Sequence, residues 1–380
     1  MLLMQRLGNV VTVGLLFSIL TLDFVGCRMN ESDANAKNAI PATPPMPSRG
    51  RGSAARGAGT EVAQLGASRA PPRIAIGGGL LTHLQASGQV SFQLAERKQV
   101  RTQPLKEPRG IAALPDGRFL VLSEQVPGRY VVQVVSPLGG SQTYPLLLPL
   151  SPLRDQLFHI LPDLQAPDEF VVIGDRGAIG YKLELLGENL RRKYSHDLTP
   201  QEASTATLTP DGVLWFYKAP GLGKLVRGAD APVVVPMPQL LEPIWHLSPG
   251  PTHQSLWASI GAHRIVRLAF KDNTAVIEQT QQEAPWVVHT LASASGQVAA
   301  LLFAESAGTP TRAVVVAFDA RGSQLLRQEV PGPFDPRETW SIALSPSGYC
   351  AVASATRLRV FELKSHKLIL RHGEALPHID

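Results

Sequence analysis

Along most of this chain apolar residues alternate with polar ones in short runs, and the runs are broken by proline, aspartate and glycine. The arrangement recurs as Ile111-Ala-Ala-Leu-Pro-Asp-Gly117 followed by Arg118-Phe-Leu-Val-Leu-Ser123, and as Ala206-Thr-Leu-Thr-Pro-Asp-Gly212 followed by Val213-Leu-Trp-Phe-Tyr217. A last copy, Ile342-Ala-Leu-Ser-Pro-Ser-Gly348, leads into Tyr349-Cys-Ala-Val-Ala-Ser354. Period two before the break puts Ile111 and Ala113, Phe158 and Ile160, Ala206 and Leu208, Trp245 and Leu247, and Ile342 and Leu344 each on one face of a strand. At the break, proline fixes the first corner, Asp or Ser bonds back to the backbone, and glycine accepts the exit geometry, which predicts a hairpin.

The run after the turn is almost continuously apolar, as in Phe119 to Leu122, Phe170 to Ile173, Leu214 to Tyr217 and Val298 to Phe303. That is how a strand buried on both faces reads. A third, alternating strand follows (Tyr130 to Val135, Ile265 to Phe270, Ala313 to Phe318, Leu358 to Leu363). A fourth, more polar one (Ala275 to Thr280, Gln324 to Val330, Leu368 to His372) suits an outer edge facing water. Taking Pro115, Pro162, Pro210, Pro249, Ala294 and Pro346 as anchors, the spacings are 47, 48, 39, 45 and 52 residues. A four-stranded unit at that period predicts an all-β chain folded as a β-propeller. Six units run from about 105 to 373. Segments Arg73 to Gly77, Leu80 to Gln85 and Val90 to Leu94 supply three strands of a further one. Its missing first strand is expected from the tail, Glu374 to Ile379, so that both ends of the chain close the ring and leave no free edge. Seven blades are expected; six or eight fit the same count.

Arg109-Gly-Ile-Ala-Ala-Leu-Pro-Asp-Gly-Arg-Phe-Leu-Val-Leu-Ser-Glu124 resembles a blade of the NHL, YncE-like or gluconolactonase-like propellers. Ile342 to Gly348 together with Leu358 to Leu363 is similar to a WD40 unit. The Gly-His opening and Trp-Asp ending of WD40 repeats are absent, so that family's hydrogen-bond network is not carried over. The resemblance spans roughly residues 73 to 373 and implies a fold, not an activity.

Composition divides the chain in three. Arg6, the apolar stretch Leu7 to Leu22 and then Phe24-Val-Gly-Cys27 have the parts of an export signal over residues 1–26. The small residue before Cys27 resembles the lipobox of bacterial lipoproteins, which implies a lipid on Cys27; Asp23 and Phe24 depart from that pattern. The alternatives are a single N-terminal transmembrane anchor and an ordinary secretory signal, and each places the remainder outside the cytoplasm. Residues 28–72 contain no aromatic side chain and are rich in Pro, Gly, Ala and Arg. Residues 27–72 are therefore expected to be a disordered tether. Residues 73–380 form the propeller.

The charge adds little: +5 over 380 residues, partly from Arg49, Arg51, Arg56 and Arg69, gives no nucleic-acid footprint. Cys27 and Cys350 are the two cysteines, so no disulfide network exists, and Cys350 reads as a small buried hydrophobe. No catalytic, cofactor or metal motif is spelled out, and no cofactor is expected. Gly221-Leu-Gly-Lys224 lacks the rest of a phosphate loop and reads as a turn between strands. The recurring aspartates Asp116, Asp163 and Asp211 read as turn residues. His159, His246 and His289 fall near the starts of inner strands and are candidate channel contacts; Trp286 and Trp340 follow Pro- or charge-rich loops and are candidate rim contacts.

These features together predict an exported, membrane-anchored, monomeric propeller. It acts as a non-enzymatic binding or scaffold module for a protein or cell-envelope component, held to the membrane through Cys27 and binding no nucleic acid. The competing expectation is a lactonase- or quinoprotein-like propeller enzyme with a metal or cofactor on the central channel.

Overall fold

Four antiparallel strands per repeat, joined by tight turns, are what the alternation and the turn residues impose, and the described residues form seven such four-stranded sheets in succession. The computed structural model describes residues 73–372, apart from 78, 86–87, 95–97, 101–107, 115, 127–128, 137–139, 147–158, 167, 175–176, 184–189, 307–308, 333 and 335–337. The expected signal, Cys27, the tether and the tail segment 374–379 lie outside the described residues. In chain order the sheets occupy 74–100, 108–146, 159–197, 207–236, 244–282, 287–330 and 341–372.

Each sheet begins with its innermost strand. The innermost strands are Ile74–Gly77, Pro108–Ala113, His159–Pro162, Thr207–Leu208, Ile244–Pro249, Val287–Ala294 and Ser341–Leu344. Each lies beside the innermost strand of the next sheet, and Ile74–Gly77 lies against both Pro108–Ala113 and Ser341–Leu344, so the first and last sheets are neighbours. Ile74 and Leu81 share a buried cluster with Ala351, Leu358 and Val360 across that closure.

The glycine of the recurring phrase has a defined task. Gly117, Gly212 and Gly348 sit at φ of 86°, 76° and 88°, a region open to glycine and costly for a Cβ. Their N–H groups donate to the carbonyls of Leu114, Thr209 and Ser345 three residues back. The second strands are buried as expected; Leu120, Leu122, Phe216, Leu301 and Leu302 have no exposed surface. Between sheets the side chains interleave, as where Leu120, Leu122 and Val132 meet Phe170 and Val172 of the following sheet.

Three readings of the sequence are corrected. First, the sheet 74–100 draws all four strands from its own segment, with Ile74–Gly77 innermost and Lys98–Val100 outermost. The three-residue outer strand is too short and polar to stand out in the sequence, which made the unit look one strand short. Second, Gly221–Leu225 is a strand, pairing with both Leu214–Lys218 and Val233–Pro236. Its glycines serve close packing: a Cβ on Gly223 would meet the Phe216 ring at 2.1 Å, and one on Gly221 would meet the Val235 carbonyl at 2.3 Å. Third, a six-residue helix, Pro200–Thr205, precedes the fourth sheet. The Thr199 side chain accepts from the Glu202 N–H, and the Glu202 carboxylate accepts from the Thr199 N–H at 2.8 Å. This reciprocal cap was legible as Thr-Pro-Gln-Glu.

Candidate interaction site

Two separate aromatic groups flank the sixth sheet: Trp286 packs on the cluster shared with the fifth sheet, and Phe303, Phe334 and Trp340 lie in the cluster shared with the seventh. Trp286 immediately precedes the innermost strand Val287–Ala294. The fifth and sixth sheets hold the backbone here from both sides: Glu283 N–H donates to His263 O at 2.8 Å, Trp286 N–H donates to Glu283 O at 2.8 Å, and His263 Nδ1 bonds to Trp286 O at 2.8 Å. The Trp286 ring packs onto the cluster of Trp257, Ile265 and Val288 and remains partly exposed. The Arg312 guanidinium lies 5.8 Å from its centroid, within cation–π range. Arg312 is itself fixed by two hydrogen bonds to the Glu329 carboxylate, at 2.9 and 3.2 Å, and 60% of its side chain is exposed. That pairing holds the Glu329 carboxyl below its usual range.

The second group lies toward the seventh sheet. His289 meets Phe303 edge-on at 4.9 Å, Phe303 meets Phe334 at 5.6 Å, and Phe334 meets Trp340 at 5.5 Å. His289 keeps some accessible surface, yet desolvation by the rings and backbone around it pushes its pKa down to about 4, against the opposing effect of its hydrogen bond to the Trp340 backbone. The imidazole is therefore neutral at neutral pH.

The two tryptophans singled out in the sequence thus have different surroundings. Trp340 is 5% exposed and lies inside the cluster that joins the sixth and seventh sheets. It is packing, not rim surface, with its ring against Phe334. Arg312, in the strand Thr309–Phe318, and Phe334 carry no signal of their own in the sequence.

The three histidines do sit in innermost strands, but in the third, fifth and sixth sheets, and the structure does not bring them together. His159 and His246 are 5% and 4% exposed. His246 Nδ1 bonds to Ser259 Oγ on the adjacent strand at 2.8 Å. Among the described residues no three His, Cys, Asp or Glu side chains form a group able to hold a metal ion.

The turn aspartates behave as capping residues, with one addition. Asp116 Oδ1 accepts from Arg118 N–H at 3.1 Å; Asp163 Oδ1 accepts from Gln165 and Ala166 N–H at 3.0 and 3.3 Å. Asp163 also takes an ion pair from Arg227 of the fourth sheet, which reaches Glu169 as well, at 3.1 Å. Lys193 holds the other Glu169 oxygen at 2.6 Å.

No family model matches the chain, and no curated protein matches it. Solved structures do. KlHsv2 with loop 6CD replaced by a Gly-Ser linker superimposes with a TM-score of 0.54 at 8% identity, over 80% of this chain and 98% of that one. The β-propeller domain of Myceliophteria thermophila Cps50 (Swd1) gives 0.52 at 12% identity, over 78% and 97%. Kluyveromyces lactis Hsv2 gives 0.53 at 9% identity, over 80% and 98%. The fold is a WD40-like β-propeller. At these identities the likeness concerns the path of the backbone, and propellers of this kind serve many unrelated functions.

Proposed function

We propose that this propeller is a non-enzymatic interaction module, its seven sheets serving as the seven blades of a closed ring, and that it binds a protein partner through Trp286 and Arg312. The observation that carries this reading is the Trp286–Arg312 pair: a partly exposed indole held rigidly at its backbone, under a largely exposed guanidinium. Tryptophan and arginine dominate binding hot spots because each buries a large area while losing little freedom when already positioned. A photo-crosslinking residue placed at position 312 should give discrete adducts in cells, and one at Asp272, in a turn of the fifth sheet, should not. Trp286→Ala should abolish the adducts from position 312. Equal crosslinking from both positions would remove the proposal.

The proposed setting is the cell envelope, with Cys27 lipidated and the propeller outside the cytoplasm. The reading rests on Arg6, the apolar run Leu7 to Leu22 and the small residues before Cys27. Cys27→Ser should shift the protein from the membrane to the soluble fraction and abolish incorporation of radiolabelled palmitate. Unchanged fractionation and labelling would exclude the anchor.

A further inference from the structure

We infer that the propeller carries a second, separate site: an oxyanion-binding site formed by Arg73 and Arg109 where the first and second sheets meet. Arg73 immediately precedes Ile74–Gly77, and Arg109 is the bulged second residue of Pro108–Ala113, the innermost strand beside it. A Cβ on Gly77 would lie 2.6 Å from that of Ala113, so the far ends of the two strands are side by side and each arginine lies at the start of its own. Their guanidinium groups therefore start from neighbouring points on the mouth of the ring. They are close enough for each other's charge to be felt: the Arg73 pKa is lowered by burial first and by Arg109 second.

The two are not equally satisfied. Arg109 donates through Nε and Nη2 to the same Glu124 oxygen, at 3.1 and 2.6 Å, while 38% of its side chain stays exposed. Among the described residues Arg73 forms no ion pair: its Nη1 reaches Leu84 O at 3.4 Å, the long limit of a hydrogen bond, and its buried Nε has no partner. The nearby Glu338 attracts Arg73 at a distance, but its Oε1 is taken by Ser354 Oγ and Thr356 Oγ1. A half-buried guanidinium left in this condition costs free energy that an incoming acceptor recovers. The planar fork of arginine matches two oxygens of a carboxylate or phosphate. Backbone contacts hold the cation in place, since Arg73 N–H donates to Ser341 Oγ at 3.1 Å and Arg73 O accepts from Leu84 N–H at 2.7 Å. The ligand class is accordingly a compact oxyanion, either an acidic side chain of a protein segment or a free inorganic anion.

The test is calorimetric titration of the full chain at constant ionic strength, with sodium phosphate in one arm and an acetylated hexaglutamate peptide in the other. At least one probe should bind, and Arg73→Gln and Arg109→Gln should each weaken it tenfold or more. Arg118→Gln, at an exposed turn already paired with Asp116, should leave it unchanged. Binding of the peptide identifies a protein segment as the source of the oxyanion, and binding of phosphate alone identifies a free anion. If neither probe binds, or if both arginine variants bind like the parent, the site does not exist. Should Arg73→Gln fail to fold, Arg73→Lys, which keeps the charge and removes the fork, takes its place with the same tenfold expectation. Crosslinking at position 312 is independent of all these outcomes, so this site and the Trp286–Arg312 pair stand or fall separately.

Discussion

Arg227 of the fourth sheet reaches across the seam to Asp163, in the first turn of the third, and so ties together two sheets that are otherwise joined by apolar contact. Asp163 and Glu169 are 4% and 7% exposed. Removing their cation leaves two buried carboxylates with fewer partners, a change more costly than losing a surface pair. Arg227 is about one-third exposed, which reduces the effect below that of a fully buried pair. Arg227→Ala is expected to destabilise by about 1–3 kcal/mol. Urea unfolding of the variant, with Arg321→Ala as a surface control, gives the measurement; equal midpoints for the two would show that the pair adds nothing.

Gly223 and Phe216 provide a second test, because the strand Gly221–Leu225 exists only if the Phe216 ring lies over a residue with no side chain. Gly223→Ala should destabilise by at least about 2 kcal/mol through overpacking. Phe216→Leu alone should also destabilise, since Phe216 is fully buried. The double variant should cost less than the sum, because the smaller side chain makes room for the methyl group. A double-mutant cycle measures that coupling directly; strict additivity would mean that the ring does not occupy the space above Gly223.

The same pair shows where the sequence was legible. The strands that alternate around Pro-Asp-Gly declare themselves because one face must be apolar and the turn needs glycine, and both demands are local. Gly221 and Gly223 were misread because their reason lies on other strands, in Phe216 and Val235. Likewise Ile74–Gly77 was recognised as a strand but given the wrong place in its sheet, since only its contacts with Pro108–Ala113 and Ser341–Leu344 make it innermost. The candidate site divides in the same way. Trp286 stood out by residue type and by the loop before it. Trp340 stood out equally, and its burial depends on Phe334 and the seventh sheet. Arg73 carried no signal at all, because its significance arises from Arg109, thirty-six positions away.

His289 predicts a pH dependence. Its folded pKa of about 4 lies below the ordinary histidine value of 6.5, so between these values the unfolded chain binds a proton that the folded chain refuses. Stability should fall as pH drops from about 6.5 to about 4, with no contribution above that window and no further loss below it. The full shift corresponds to no more than about 3 kcal/mol. Urea midpoints of the parent and of His289→Gln, compared from pH 7.5 to pH 4, isolate the effect, since other titrating groups are common to both. Parallel curves would show that His289 is not desolvated in the folded state.

The two tryptophans on either side of the sixth sheet allow binding and packing to be separated. Trp340 lies in the cluster with Phe303, Ile342 and Phe361, so truncation removes a large buried side chain and opens a cavity between the sixth and seventh sheets. Trp340→Ala should cost about 3–5 kcal/mol. Its Nε1 is buried without a hydrogen-bond partner among the described residues, so Trp340→Phe loses ring area but also removes an unsatisfied polar group, and these effects oppose each other. That variant should stay within about 1.5 kcal/mol of the parent. Trp286 keeps part of its surface in water and its backbone bonds survive truncation. Trp286→Ala should therefore cost less stability than Trp340→Ala while abolishing crosslinking at position 312. Thermal unfolding and crosslinking on the same three variants decide the matter. If Trp286→Ala proves as destabilising as Trp340→Ala, its indole is structural and the binding surface must lie elsewhere on the ring.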